Sequence, residues 1–502
     1  MLNIVTELTK LKRRIYISLA RFTLKDQLVE KVESLPELLA NADTPRYRCC
    51  EYKEQAILKE MIKLAMGFDP EQYKNMSLIE MAKQIDQLES DKRIIHVLSV
   101  ACDRCPIDKY MITDACRNCV AHSCVSACPR NAIVIIQNRA YIDQGKCIEC
   151  GRCKVACPFG AILENIRPCE RACAVDAIKA DYSRQASIDY EKCIGCGNCV
   201  RSCPFGAIED STQIIQVIKM LKDPETKVNA IIAPSFIGQF GAKVSPGKLK
   251  AALVEIGFSE VYEVALGADM VALNEAHELV ERLEKGQPFM TSSCCPSFLS
   301  LIQKYFPEIA DKASTTVSPM IALARLLKKT DPESKMVFIG PCITKKIEAQ
   351  KEKDIDAVLT FEELGCILVS MGINLAEYEL EEEIKDASSH GRNFAYAGGV
   401  ANVIREILKE EGKENLIKFA HVDGIVNCKE ALQKLVEGKL DCNFLEGMGC
   451  EGGCVGGPGS MMNSKITTRL VQKFADKARW KLALENKAAE EKRKSLAHAM
   501  ER

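Results

Sequence analysis

The chain has 502 residues, with 68 basic against 69 acidic side chains, 47 % hydrophobic and 27 % charged, enough for two to four ordinary globular domains. A net charge of −1 gives no basic surplus for nucleic acid or an anionic membrane, and no uncharged apolar run reaches the roughly 18 residues of a membrane span. The anomaly is 26 cysteines. In a long chain that opens Met-Leu-Asn-Ile-Val-Thr-Glu-Leu without a secretory signal, they fit reduced, metal-bound thiols in a cytoplasm better than a disulfide scaffold.

Residues 1–95 read as a helical segment. Leu58, Ile62 and Ala65 recur at helical spacing, and Gly67 and Pro70 end that helix. Cys49-Cys50 has no ligand-type spacing to other cysteines and reads as structural thiol, packed as a small hydrophobe.

Residues 96–210 hold sixteen cysteines. Cys116-x2-Cys119-x4-Cys124-x3-Cys128-Pro is followed by Cys147-x2-Cys150-x2-Cys153-x3-Cys157-Pro and Cys193-x2-Cys196-x2-Cys199-x3-Cys203-Pro. The last two are the bacterial ferredoxin run, in which three thiols hold one cubane and the fourth reaches its neighbour. A tight loop places three thiolates on three corners, and the remaining corner needs a remote residue. One 4Fe–4S cluster then takes Cys116, Cys119, Cys124 and Cys157, and a second takes Cys147, Cys150, Cys153 and Cys128. For Cys193, Cys196 and Cys199 the remote partner is Cys173, in what reads as the tail of a degraded motif, Arg167-Pro-Cys-Glu-Arg-Ala-Cys173. Cys102, Cys105, Cys169 and Cys203 remain. They suffice for a fourth cubane; alternatively they hold zinc or nothing, since paired Cys-x2-Cys also suits tetrahedral zinc. The total is three to four clusters in a polyferredoxin-like domain. His122 reads as a surface residue rather than a ligand, and the Ala-Ile after each motif as a small apolar lid.

From 211 to 462, strand-like and helical runs alternate, which predicts α/β architecture with mostly parallel strands. Lys227–Ala233 ends at Pro234-Ser235. Pro288–Ser292 leads into Cys294-Cys295, and Met336–Ile339 into Gly340-Pro-Cys342. Asn393–Tyr396 leads into Gly398-Gly399, and Cys442–Leu445 into Glu446-Gly-Met-Gly-Cys450-Glu-Gly-Gly-Cys454-Val-Gly-Gly-Pro458. Each candidate ligand follows the carboxyl end of a strand, where open α/β sheets build their sites. Leu249–Ile256 and Leu273–Leu283 read as helices. The last run matches G-x-G-x-x-G formally, but its two cysteines and further glycines leave no place for the helix a pyrophosphate loop must open. Residues 463–502 read as a charged helical tail, solvated or lying along the ferredoxin region.

Three loops together, Thr291-Ser-Ser-Cys-Cys-Pro-Ser-Phe298, Pro341-Cys-Ile-Thr-Lys345 and Glu446–Gly457, resemble the FeFe hydrogenases. The likeness covers residues 96 to about 460. It implies an α/β catalytic domain with two lobes of mostly parallel sheet, preceded by α+β ferredoxin-like domains and the helical segment. It also implies an H-cluster, a 4Fe–4S cubane joined to a two-iron subsite with carbonyl, cyanide and azadithiolate. By motif position the cubane ligands are Cys295, Cys342, Cys450 and Cys454, with Cys454 bridging to the subsite. Lys345 faces a cyanide. Pro234, Ser235, Met448, Phe394, Gly398 and Gly399 line the pocket. Cys294, Glu275, Glu278 and Ser314 form the proton path. Such a relay needs groups within hydrogen-bond reach, and the two glutamates, three apart, share a helix face.

Gly340, Glu451, Met320 and Phe298 depart from common family residues (Met, Pro, Gln and Trp), as in a divergent, group B-like monomeric branch. The implied activity is reversible interconversion of hydrogen with protons and electrons, with a ferredoxin-type carrier and maturation proteins for the two-iron subsite as partners. No nucleic acid or membrane span is expected. The competing readings are a hydrogen sensor, whose known relatives usually lack the relay cysteine, and a hydrogenase-like iron–sulfur assembly protein.

Overall fold

The computed structural model describes residues 5–41, 47–87, 93–103, 105, 108–181, 183, 185–413 and 417–502. Two all-parallel sheets frame the carboxy-terminal region. The larger has strand order Glu260–Glu263, Val228–Ile232, Lys335–Ile339, Ala357–Leu359. Its inner strands are covered on both faces, so they are mainly apolar rather than alternating, with buried Asn229 and the leading Lys335 as the polar exceptions. The smaller has Met290–Thr291, Phe444–Met448 and Phe419–Asp423 in that order.

Between them runs helix Val264–Glu284, buried along most of its length. A helix apolar on all sides must be clasped on all sides. Gly267 makes one clasp possible, because a Cβ there would stand 2.3 Å from the Pro319 carbonyl of helix Pro319–Thr330. Gly391 makes another, with its would-be Cβ 2.1 Å from the Ala265 carbonyl. That second contact corrects one expectation. The run toward Tyr396 is no strand: Ser389–Asn393 is a short helix, capped by Ser388, whose hydroxyl accepts the Gly391 N–H. Its wedge against the long helix outweighs the local β-like composition.

The cysteine-rich region is two ferredoxin-like modules, one inside the other. In the inner module, Tyr110–Ile112 pairs antiparallel with Ile162–Glu164, and Ile133–Ile136 with Arg139–Ile142. In the outer module, Ile95–Val97 pairs with Ile208–Asp210, and Ile178–Ala180 with Ala186–Ile188. The inner module, residues 108–165, interrupts the outer one between Cys105 and Cys169. Cys169–Cys173 is therefore the continuation of a split motif begun at Cys102, rather than the tail of a degraded one. The inner module has its own small core of Tyr110, Ile133, Ala140, Cys153 and Ile162.

Helices Glu7–Leu24 and Glu51–Ala65 of the amino-terminal segment cover the outer module and helices Ile214–Lys222 and Phe361–Ser370. Lys12 pairs with Glu209 at 2.5 Å and Arg13 with Glu362 at 2.8 Å. Cys49 and Cys50 are exposed, so they do not pack as small hydrophobes. The tail also departs from expectation. Helix Ser464–Ala475 packs on Pro234–Phe236, helix Lys487–Leu496 on Val264–Glu284, and Arg502 donates to the Ser293 carbonyl at 2.7 Å. Buried Thr467, Val471 and Ala475, spaced four apart, bind it to the sheet region rather than to the ferredoxin modules. Among the described residues, no helix is long and apolar enough to cross a membrane.

Candidate metal centre and proton route

All 26 cysteines are free. Those of the three carboxy-terminal loops meet between the two sheets. Cys295 caps helix Pro296–Tyr305 four residues past the strand Met290–Thr291, and its sulfur accepts the Gly449 N–H at 3.4 Å. Pro341 and Cys342 follow Lys335–Ile339, and the Pro341 carbonyl accepts the Gly459 N–H at 2.7 Å, locking this loop onto the glycine-rich one.

Burial, then the neighbouring thiols Cys342, Cys295 and Cys454, raises the Cys450 pKa far above its usual value. Burial with Cys295 and Cys342 lifts Cys454 to about 12. Burial and Cys295 also raise Cys342, against the pull of Lys345. Neighbouring thiols that oppose ionisation, as at Cys342, Cys450 and Cys454, suit a cationic iron cluster, which stabilises the thiolates together. Among the described residues no three His, Cys, Asp or Glu side chains converge closely enough to hold a single ion. A cubane asks something different, one thiolate on each of four separate corners.

Pro234, Ser235, Met448 and Phe394 are buried, and the Ser235 hydroxyl has no hydrogen-bond partner. An orphaned buried hydroxyl is a donor awaiting an acceptor. Gly398 sits at φ 85°, and a Cβ on Gly399 would stand 1.9 Å from the Asn393 carbonyl, so side chains are excluded there. The Glu446 carboxylate accepts the Gly398 and Ala401 N–H groups, each at 2.8 Å, and fixes that turn. Burial raises Glu446 to about 7, with those amides resisting.

Lys345 is buried and donates to Glu348 at 2.5 Å. Sequence reasoning missed Glu348, although its spacing of three from Lys345 is that of a helical ion pair. The Phe338 ring leaves 2.6 Å for a Cβ at Gly340, and the Phe298 ring leaves 2.2 Å at Gly447.

Several polar groups lie near the buried Cys294. Burial, then the nearby Glu275 charge, keeps the Cys294 thiol protonated. Glu275 is fully buried with neither carboxylate oxygen hydrogen-bonded. Burial and then Glu278 lift it to about 8, while Ser314 and the Ser293 amide nearby temper the rise. Ser314 donates to Glu278 at 2.6 Å, as do the Thr315 amide at 2.8 Å and Thr316 at 2.9 Å. Arg282 pairs with Glu278 at 2.6 Å. Burial alone would raise Glu278, but Ser314, Thr315 and Arg282 outweigh it and lower it. One carboxyl thus keeps its proton near neutrality while the next is ionised. Thr315, Thr316 and Arg282 were not anticipated; Arg282 is legible as the i+4 partner of Glu278.

The upstream thiols gather in four groups. Cys169 interacts with Cys203, Cys105 and Cys102, and burial raises it to about 11. These four line one small cleft. A second small cleft is lined by Cys128, Cys147, Cys150 and Cys153. Cys124 lies near Cys157 and Cys119, and the Cys116 sulfur, held by the Ala140 and Asn118 amides, is lowered. Cys199 lies with Cys196, Cys193 and Cys173. This last group abuts the carboxy-terminal thiols: Cys196 acts on Cys450, and Arg201 donates to the Gly456 carbonyl at 3.0 Å. The Ala132, Ala177 and Ala207 amides donate to the Cys128, Cys173 and Cys203 sulfurs at 3.2–3.3 Å, so the Ala-Ile turns do more than cover. His122 bonds to Asn118 at 3.2 Å.

The family described as "Iron only hydrogenase large subunit, C-terminal domain" matches residues 226–458, and the "4Fe-4S binding domain" matches residues 140–163 and 186–209. The chain is 30 % identical to the periplasmic Fe hydrogenase large subunit of Nitratidesulfovibrio vulgaris over 408 residues, 69 % of this chain and 93 % of that protein. It is 31 % identical to iron hydrogenase 1 of Clostridium pasteurianum over 303 residues, 50 % of this chain and only 53 % of that longer protein. It is also 24 % identical to cytosolic iron-sulfur assembly component 3 of Bos taurus over 270 residues, 43 % of this chain and 56 % of that protein.

Proposed function

The chain belongs to the iron-only hydrogenase family, and from that premise we propose that it interconverts molecular hydrogen with protons and electrons. The observation that carries the reading is the meeting of Cys295, Cys342, Cys450 and Cys454 between the two sheets, beside a relay that starts at Cys294. In this reading Cys295, Cys342, Cys450 and Cys454 would hold an H-cluster, a 4Fe–4S cubane with a two-iron subsite carrying carbonyl, cyanide and azadithiolate. When bound, that group supplies the metal centre at which protons and electrons combine.

The protein's own part is positioning, exclusion of water and proton supply. Pro234, Ser235, Met448, Phe394, Gly398 and Gly399 shut solvent out, and Lys345 supplies a cation for an anionic ligand in a dry pocket. The Cys294 thiol delivers a proton at Sγ and is refilled from Glu275, which holds its own proton up to pH about 8. Ser314 and Glu278 carry the path on to Arg282. Upstream, the four groups of thiols hold four further 4Fe–4S clusters. The group of Cys173, Cys193, Cys196 and Cys199 is the last step before the active site. A ferredoxin-type carrier exchanges electrons with the chain, and maturation proteins supply the two-iron subsite.

The test is to reconstitute the clusters, load a synthetic two-iron precursor, and record infrared spectra and hydrogen evolution from reduced methyl viologen. Iron-bound carbonyl and cyanide bands with turnover are expected. A folded, cluster-loaded protein without bands or hydrogen overturns the reading. It would favour the second one, an iron–sulfur assembly role, which the likeness to the assembly component supports. The full ferredoxin motifs and Lys345 weigh against that role, and Cys294 weighs against a sensor.

A further inference from the structure

Cys49, Cys50, Cys366, Cys428 and Cys442 belong to none of the cluster groups and not to the proton route. Cys366, Cys428 and Cys442 are buried, whereas Cys49 and Cys50 are exposed. A buried structural thiol is inert, and an accessible one is open to exchange. The two exposed thiols are also a pair, with their sulfurs 3.9 Å apart.

The pair is tied to a cluster group. Arg48, one residue before it, donates to the Phe205 carbonyl at 2.8 Å, pairs with Asp103 at 3.5 Å and lies over the Phe205 ring. Lys53, in the first turn of the following helix, pairs with the same Asp103 at 3.2 Å. Asp103 and Phe205 line the cleft of Cys102, Cys105, Cys169 and Cys203. On the other side, Cys50 is the N-cap of helix Glu51–Ala65, and its carbonyl accepts the Glu54 N–H at 3.2 Å. The Cys50 side chain takes no part in that cap, so its thiol is available for reaction.

We propose that Cys49 and Cys50 are a thiol–disulfide exchange site that a small disulfide closes, and that closure withdraws Arg48 from the cluster group. One thiol of the pair, as its thiolate, attacks a sulfur of the small disulfide. A mixed disulfide forms and half of the reagent leaves. The second thiol then displaces the other half. The reagent's S–S bond is broken and one forms between Cys49 and Cys50. The pair is oxidised by two electrons, and its two protons leave with the reagent as two thiols. Consecutive Cα atoms stand about 3.8 Å apart, below the roughly 4.4 Å at which ordinary disulfides begin, and the sulfurs must close to about 2.05 Å. The ring therefore distorts the peptide between Arg48 and the helix cap, and the Arg48 contacts give way. A strained, exposed disulfide is readily reduced, so the site reverses. Removing a cation from the wall of a cluster disfavours its more negative, reduced form and lowers its potential.

The probe is glutathione disulfide, added anaerobically to the cluster-loaded full chain, followed by iodoacetamide and mass spectrometry. The peptide carrying Cys49 and Cys50 should lose two hydrogens and both alkylation sites, with iron content unchanged, and should recover both with dithiothreitol. Cys50→Ser should stop at a mixed disulfide on Cys49. Closure should shift to lower values the midpoint potential of the paramagnetic signal that Cys169→Ala removes, and leave the other cluster signals in place. Arg48→Gln should give the same shift with no disulfide formed. Both thiols still alkylated at excess reagent, or a lasting mixed disulfide in the wild type, overturns the proposal. So does closure that leaves that signal unmoved. The second half rests on the reading that these four thiols hold a cluster. A loaded protein that never shows the signal sinks that reading instead, and the mass spectra still decide the exchange site.

Discussion

The Thr344 hydroxyl donates to the Gly195 carbonyl at 2.9 Å, and the Ser297 hydroxyl lies 2.6 Å from the Thr344 hydroxyl. Three loops meet in that contact: the last ferredoxin motif, the turn after Cys295 and the helix after Cys342. All three groups are buried, so the bonds are not exchanged with water.

Thr344→Val keeps the shape and deletes the hydroxyl. It leaves a buried carbonyl and a buried hydroxyl unpaired, a loss of about 1–3 kcal/mol. A lower melting temperature with unchanged iron content is expected. Carrier-linked turnover should fall more than viologen-linked turnover, because the contact joins the last cluster group to the active-site loops. Equal effects on both would show that the contact only adds stability.

Glu275 gives a pH prediction with a defined sign. Its folded pKa of about 8 lies above the usual 4.5. The folded state therefore binds the proton more tightly than the unfolded state. The resulting stability is full below pH 4.5 and is lost progressively as pH rises through about 8. Glu275→Gln should remove that slope, making the variant relatively more stable at pH 8–9 than at pH 5 when compared with wild type. Hydrogen turnover should fall by at least about 100-fold, the scale of a lost proton-transfer group. Denaturation curves across pH and turnover with viologen check the two halves separately.

Most of this site could be read from the chain, because its elements announce themselves locally. Mainly apolar runs such as Val228–Ile232 lead to Pro234 or to a cysteine, and the carboxyl ends of parallel strands are where sites gather. Cys-x2-Cys spacing likewise carries its own geometry. The nested modules were not legible, because spacing reports neighbours along the chain and the partners of Cys102 and Cys105 lie beyond a 58-residue insertion, 108–165. The Asn393–Tyr396 segment misled for a related reason. Four residues of β-like composition carry less information than the close approach of Gly391 to the long helix, which only the folded chain shows.

Lys346, next in sequence to Lys345, points the other way. Its ammonium donates to the buried Asp210 and Glu363 at 2.8 Å each and to the half-buried Ser211 carbonyl at 2.7 Å. Burial alone would lower its pKa, but Asp210 and Glu363 outweigh that and raise it. Lys346→Met removes the cation from between two buried carboxylates and should cost about 3–5 kcal/mol. Adding Asp210→Asn and Glu363→Gln should recover much of the loss, since the penalty comes from uncompensated charge. Chemical denaturation of the single and triple variants decides this; a triple variant no more stable than Lys346→Met would show that packing was lost instead.

The split motif makes Cys169 and Cys173 experimentally separable although they lie one helical turn apart. Cys169 faces Cys203, Cys105 and Cys102, whereas Cys173 faces Cys193, Cys196 and Cys199. If each set holds a cubane, Cys169→Ala and Cys173→Ala should each cost about four iron atoms, from different clusters. The consequences should differ. The Cys173 set adjoins the active-site thiols through Cys196 and Cys450, so its loss should abolish carrier-linked turnover and broaden the remaining signals least at the far module. Losing the Cys169 set should leave electron supply to the active site intact from any donor that reaches the Cys173 set directly. Iron counting and electron paramagnetic resonance of the two variants and of the double variant test the assignment. Additive losses, about eight atoms in the double variant, are expected; a double variant no worse than either single would mean that both thiols serve one cluster.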